Sequence, residues 1–336
     1  MEPSERLDEL IGGFRATQVI RAAAVLGIAD VLSAGPLAPL AVASRIGADS
    51  ALVHRLMRCL TALGVLTESE DGRFANSELG DLLRVDAPGS MKSTAVGRAQ
   101  DSWWAAWAQL PTAIKDGRVP YEIAHGQSFW DELRNEPGAA SRFNAFMASK
   151  TTRFLTCLLQ HYDFSHAHRI VDVGGGSGAL LGGVLQAAPR ARGTVFDLAS
   201  GLIGAQQLLT GLGVDDRCAA VAGSFFDGVP SGGDVYLLRQ ILHDWPDDRA
   251  RDILKACRRS MPAGAELLVM DQTLPERATN NPESRVAFEF DLHMFVLFGA
   301  RERTAPELSD LIQGAGFVVD RILPTNPEST FVAVAN

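Results

Sequence analysis

A chain of 336 residues, 46% hydrophobic and 21% charged, has the composition of a globular protein and the length for two domains with separate cores. Its net charge of −9 and pI near 5.3 exclude the basic surface that binding to nucleic-acid phosphates requires. Cys59, Cys157, Cys218 and Cys257 show neither zinc nor redox spacing, the N-terminus lacks a basic-then-apolar leader, and no apolar run reaches membrane-spanning length, so a cytoplasmic protein with reduced thiols is expected.

From Leu7 to about Leu83 the pattern is helical, and Thr17–Leu26 is apolar nearly all round, which asks for a surface to bury against. The segment Leu37–Ile46, a turn at Gly47–Ser50, a helix from Ala51 to Leu63 and the stretch Gly64–Phe74 predict a winged helix. Its recognition helix would offer a DNA groove only His54, Arg55 and Arg58, and its wing carries Glu68, Glu70 and Asp71. A packing and dimerisation module is the better reading. Gln100–Trp107 then gathers three of the five tryptophans, as core first and pocket lining second. Helices at Ser128–Arg134 and Ala139–Leu159 follow, with Phe143, Phe146 and Met147 at helical spacing.

From Arg169 onward strands alternate with helices: Arg169–Val173, Thr194–Asp197, Cys218–Gly223, Asp234–Leu238, Glu266–Met270, Val318–Ile322 and Thr330–Val334. This predicts an α/β doubly wound sheet. The first of these strands runs through Asp172 into four glycines before a helix starting near Ala179. A sharp strand-to-helix turn with a ligand against its backbone needs positive φ and no Cβ, which Gly174, Gly176 and Gly178 supply. The spacing fits both the dinucleotide fingerprint and the Asp-x-Gly-x-Gly-x-Gly loop of methyltransferases, so the loop alone admits NAD or S-adenosylmethionine. Asp197, closing the next strand, suits the ribose of either.

The motifs that follow narrow the choice. Asp172-Val-Gly-Gly-Gly-Ser-Gly178, Phe196-Asp-Leu198, Gly223-Ser-Phe-Phe226, Leu242-His-Asp-Trp-Pro-Asp247 and Arg301-Glu-Arg-Thr304 resemble, in that order, the S-adenosylmethionine-dependent small-molecule O-methyltransferases of plants and actinobacteria. The resemblance spans almost the whole chain. It implies a Rossmann-like doubly wound methyltransferase domain with connecting helices at 111–336, behind an all-α winged-helix dimerisation domain at 1–110, in a homodimer acting on a small molecule. Carried over by motif, Asp172, Gly174 and Gly176 form the cofactor loop, Asp197 takes the ribose, and Ser224 (an Asp in the family) and Phe225 meet the adenine. Arg239 would face the cofactor from the fourth strand. His243 matches the general base, Asp271 the carboxylate that orients it and Glu302 a second acidic residue, while Phe143, Met147, Phe290 and Met294 match pocket positions. An unperturbed imidazole, with a pKa of about 6.5, would be a free base at neutral pH.

Two positions depart from the phenol methylators: Gln240 stands where relatives place an apolar wall, and His293 where they place an aliphatic side chain. A carboxamide and two imidazoles in one pocket suggest a bound divalent metal, iron or zinc, on Gln240, His243 and His293. Such a metal would chelate an α-keto acid and acidify its β-carbon for methylation, with Asp244 or a water as base. This arrangement is similar to the α-keto acid C-methyltransferases within the same family. The sequence therefore favours C-methylation of an α-keto acid, with O-methylation of a phenolic or polyketide hydroxyl by His243 as the alternative. A protein that binds the cofactor without methylating is a further class. An NAD dehydrogenase has only the loop in its favour and predicts nicotinamide turnover with some alcohol or ketone.

Overall fold

The computed structural model describes residues 2–335, with the side chains of Thr152 and Arg153 outside the description. The chain forms two compact units that meet in sequence at Asp101 and Ser102. In the first, a helix over Pro3–Leu26 stops at Gly27, whose φ of 68° is open to glycine at little cost. The predicted helix at Leu37 begins only at Pro39, because Ala38 before the proline is held extended and Leu37 pairs instead with Phe74. Asp49 caps the next helix, Ser50–Ala62, by accepting from the Leu52 N–H at 2.9 Å. The wing is an antiparallel pair, β1 (Leu66–Glu68) and β2 (Phe74–Asn76). Val42, Met57, Leu60 and Phe74 are fully enclosed beneath it.

Leu7, Leu10, Ile11 and Phe14, by contrast, recur at helical spacing along the first helix and remain 58%, 48%, 63% and 51% exposed.

The second unit is built on alternation. Its strands are β3 (Arg169–Val173), β4 (Arg192–Asp197), β5 (Cys218–Ala222), β6 (Val235–Arg239), β7 (Glu266–Asp271), the short β8 (Thr273–Leu274) and β9 (Arg303–Thr304), then β10 (Phe317–Leu323) and β11 (Ser329–Ala335). Along β6 and β7, Tyr236, Leu238, Leu267 and Val269 face the helices Asp247–Ser260 and Ala305–Gln313. The residues between them, Val235, Leu237, Leu268 and Met270, face the helices Pro137–His161 and Ala179–Ala187. Both faces being covered, these strands read as continuous apolar runs.

The seven main strands lie in the order β10-β11-β7-β6-β3-β4-β5, parallel except where β11 pairs with β7 and β10. The expected doubly wound sheet is therefore formed, with a C-terminal antiparallel pair. Chain direction across the sheet reverses between β3 and β6, so the loops leaving their C-terminal ends open a crevice, the usual ligand site of such sheets. No helix of the described residues is long and apolar enough to cross a membrane.

Covering the exposed stripe of the first helix with a second copy would contribute up to about 1.5–3 kcal/mol per side chain, less for those already half covered. Ile11→Asp is expected to shift the protein from dimer toward single-chain mass in sedimentation, with the melting of the sheet unit retained. A variant that stays fully dimeric would assign the contact elsewhere.

Candidate active site

The glycine loop leaves β3 as expected. Gly174, Gly176 and Gly178 all have positive φ, at 72°, 56° and 79°. A Cβ at Gly174 would overlap Ile241 Cδ1, whereas one at Gly176 would meet nothing within 4 Å, so the loop presents open backbone at its tip. Asp197, at the end of β4, accepts from the Gly176 N–H at 2.8 Å and its own neighbour Leu198 at 2.6 Å. Its carboxylate thus sets the loop's shape. Phe225 stands 3.9 Å from the projected Gly174 Cβ, while the Ser224 hydroxyl accepts from the Phe226 N–H at 3.2 Å. Asp172 is buried with Oδ2 unpartnered among the described residues; burial and nearby Asp197 push its pKa up to about 7, against the pull of Arg239.

The guanidinium of Arg239 grips Glu328 through Nε and Nη2, donates to Thr151 Oγ1 at 2.8 Å, and lies 4.4 Å over the Phe154 ring. Glu328 comes from the strand connection across the sheet, and a buried arginine with a carboxylate in fork geometry is held there.

On the other side of the crevice, β6 runs through Gln240 into a 3-10 turn, Leu242–Asp244, that carries His243. Glu302 Oε1 lies 2.6 Å from His243 Nδ1, and both groups are almost wholly buried. Asp244 Oδ1 is 3.5 Å from Nε2, beyond a good hydrogen bond. Asp271, expected to orient the imidazole, instead acts on it only through space, with Oδ1 unpartnered among the described residues. The difference arises because β8 pairs with β9, Thr273 opposite Arg303, which brings Glu302 past the end of β7 and up to the ring.

Arg303 fixes the turn itself. It is 3% exposed, and its guanidinium donates to the Leu242 carbonyl at 2.8 Å, the Trp245 carbonyl at 2.9 Å and Asp247 Oδ1 at 2.7 Å.

Burial works to lower the His243 pKa, but Glu302, Asp244 and Asp271 outweigh it and push it up to about 10. The free-base imidazole expected at neutral pH is therefore corrected to an imidazolium in the protein alone. Burial raises Asp244 to about 7 and Asp271 to about 6, so these two carboxyls hold protons well above the usual range.

The expected metal centre is not supported. Among the described residues no three His, Cys, Asp or Glu side chains are grouped to hold a metal ion. The two imidazoles have separate engagements: His243 with Glu302, and His293 with Trp107, whose Nε1 donates to Nδ1 at 3.2 Å and whose ring stacks on it at 6.0 Å. Gln240 shows something else. It is the one non-glycine residue of positive φ among those described, at 53°, and its Oε1 is buried and unpartnered.

Of the pocket positions, Phe290 adjoins both imidazoles, 6.0 Å from each ring. Met294 is buried, and Phe143 and Met147 join the aromatic cluster of Trp103, Phe129 and Trp130. The tryptophan segment thus lines the cluster with Trp107 and fills its core with Trp103. Lys150 was not anticipated. It follows Met147 by one helical turn, and its Nζ sits 5.3 Å over Phe290, a place that the Phe143–Met147 spacing extended by one turn would have found.

A sequence model of the O-methyltransferase domain matches residues 107–318, and one of the O-methyltransferase dimerisation domain matches residues 8–86. The phenazine O-methyltransferase PhzM of Lysobacter antibioticus is 38% identical over 96% of this chain and 93% of its own. A mitomycin biosynthesis 6-O-methyltransferase of Streptomyces lavendulae is 35% identical over 95% and 90%. Among solved structures, the O-methyltransferase NcsB1 from neocarzinostatin biosynthesis, in complex with S-adenosylmethionine and 2-hydroxy-5-methyl naphthoic acid, is similar with a TM-score of 0.79, 31% identity and 96% of each chain covered.

The raised pKa of His243 is a linkage statement: its stabilising contribution is fully present below the ordinary value of about 6.5 and is lost as pH rises through about 10. Glu302→Gln removes the first of the charges that hold the imidazolium, so the His243 ring is expected to titrate at lower pH, read by NMR of the labelled imidazole. An unchanged midpoint would transfer that role to Asp244 and Asp271.

Proposed function

The chain belongs to the O-methyltransferase family, and from that membership we propose that it methylates a phenolic or polyketide hydroxyl of a small secondary metabolite, with His243 as general base. It is an S-adenosylmethionine-dependent methyltransferase, and its dimerisation domain supports a homodimer. The observation that carries the oxygen acceptor is the imidazole itself, buried in the turn after β6 with Nδ1 engaged by Glu302 and Nε2 3.5 Å from Asp244 Oδ1.

The bound cofactor supplies an electrophilic methyl on a sulfonium. Everything else falls to the protein. A phenol's unperturbed pKa is about 10 and His243 is raised to about the same value, so the imidazolium first gives up its proton to solvent, and the free imidazole then takes the phenol's proton with little further uphill cost. Glu302 fixes which nitrogen faces the acceptor and stabilises the imidazolium that forms. The phenol oxygen takes the methyl as the carbon–sulfur bond breaks; S-adenosylhomocysteine and the methyl ether leave, and the proton passes from Nε2 to solvent. In this reading Asp172, the Gly174–Gly178 backbone, Asp197, Ser224 and Phe225 hold the donor, and Phe290 with the Phe143–Met294 cluster holds the acceptor.

C-methylation of an α-keto acid, favoured by the sequence alone, rested on a metal held by Gln240, His243 and His293. The donor grouping does not support that metal, and the relatives compared above are named for methylation of oxygen.

Incubation with S-adenosylmethionine and a panel of hydroxyarenes and α-keto acids, with and without chelator, followed by product mass, tests the choice. A methyl ether formed equally in chelator is expected, and His243→Ala should lower its kcat by about 10²–10⁴-fold. A chelator-sensitive β-methyl keto acid as the main product would overturn the proposal.

A further inference from the structure

Lys150 lies in the helix Pro137–His161, on the same side as Met147. Its ammonium sits over two aromatic faces, 5.3 Å from the centre of Phe290 and 5.7 Å from that of Phe146. Phe290 in turn lies 6.0 Å from the His243 ring. The cation is thus placed against the wall that adjoins the proposed base. Its charge also reaches Asp244, whose pKa it lowers against the larger effect of burial. A cation over the ring of Phe290 and a base beside that same ring favour a flat molecule with an anionic substituent at one edge and a hydroxyl at the other.

We propose that Lys150 is a specificity-determining residue that reads a carboxylate on the aromatic acceptor, whose ring rests on Phe290 while its hydroxyl faces His243. The inference rests on the hydroxyl-methylation reading, and it names the acceptor class as hydroxyarene carboxylates. A lysine serves as a point charge, adjustable along its flexible stem, for an anion approaching over an aromatic face. Partly screened by the crevice walls, the ammonium and carboxylate form a charge-assisted hydrogen bond stronger than its neutral counterpart. A neutral amide of the same shape would lack that gain.

The test is binding, independent of turnover. Affinities of 1-hydroxy-2-naphthoate and of 1-hydroxy-2-naphthamide are measured by calorimetry for the dimeric protein saturated with S-adenosylhomocysteine. The unaltered protein is expected to prefer the carboxylate, and Lys150→Met should shrink that preference by about tenfold or more, while Lys150→Arg retains most of it. Equal affinity of the two probes for the unaltered protein, or a preference that survives Lys150→Met, overturns the inference. Product mass with the same naphthoate separates the two ideas. Carboxylate preference lost in Lys150→Met, with methyl transferred to carbon rather than oxygen, upholds Lys150 and removes the hydroxyl reading; a methyl ether with no charge preference does the reverse.

Discussion

The buried guanidinium of Arg303 is the constraint on which the acceptor side of the crevice depends. Its donors meet the carbonyls of Leu242 and Trp245 and the carboxylate of Asp247, so a turn with few repeating hydrogen bonds of its own is tied from outside. Taking an arginine out of water is costly unless its donors are met, and here they are met by the segment that must be immobile. The same strand places Glu302 on His243 and, one residue further on, starts the helix Ala305–Gln313 with a reciprocal cap between Thr304 and Glu307. Adjacent residues therefore position the imidazole, pin its turn and begin a core helix. A lysine at 303 would supply charge without the planar fork that meets three acceptors at once.

Around that turn the protein concentrates acid rather than excluding it. Asp244, Asp271 and Glu302 surround one imidazole, and burial keeps the first two protonated further into the neutral range than free carboxylates. The imidazole consequently holds its proton through the neutral range. Gln240 adds a conformational cost, since its left-handed backbone, unusual for a side chain of this size, is retained beside the site.

Much of the architecture was legible because it follows from local rules. The apolar runs of β3, β6 and β7 and the glycines after β3 need only chain geometry, and the wing and both helices before β3 lie close to their expected positions. What was not legible depends on pairs far apart in sequence. Asp271 is the expected partner of His243, and only the β8–β9 pairing brings Glu302 there in its place. Arg239 pairs with Glu328, a partner that nothing in its own segment announces and that the pairing of β11 with β7 brings to it. Gln240, His243 and His293 share ligand chemistry, but the sequence could not reveal that Trp107 engages one imidazole and Glu302 the other. Lys150 was missed for a simpler reason: a charge on a helix is ordinarily read as a solvated face.

Gly174 and Ile241 touch across the crevice so closely that a methyl group on the glycine would collide with the isoleucine side chain. The loop after β3 and the turn after β6 are thus interlocked, and bulk gained by one must be surrendered by the other. Position 241 is thus a poor place for added bulk, because any enlargement there is felt directly by the glycine loop. The helices Pro137–His161 and Pro282–Phe298, which carry Met147, Lys150, Phe290 and His293, stand outside that single contact, so bulk added on them meets neither Gly174 nor Ile241 through it.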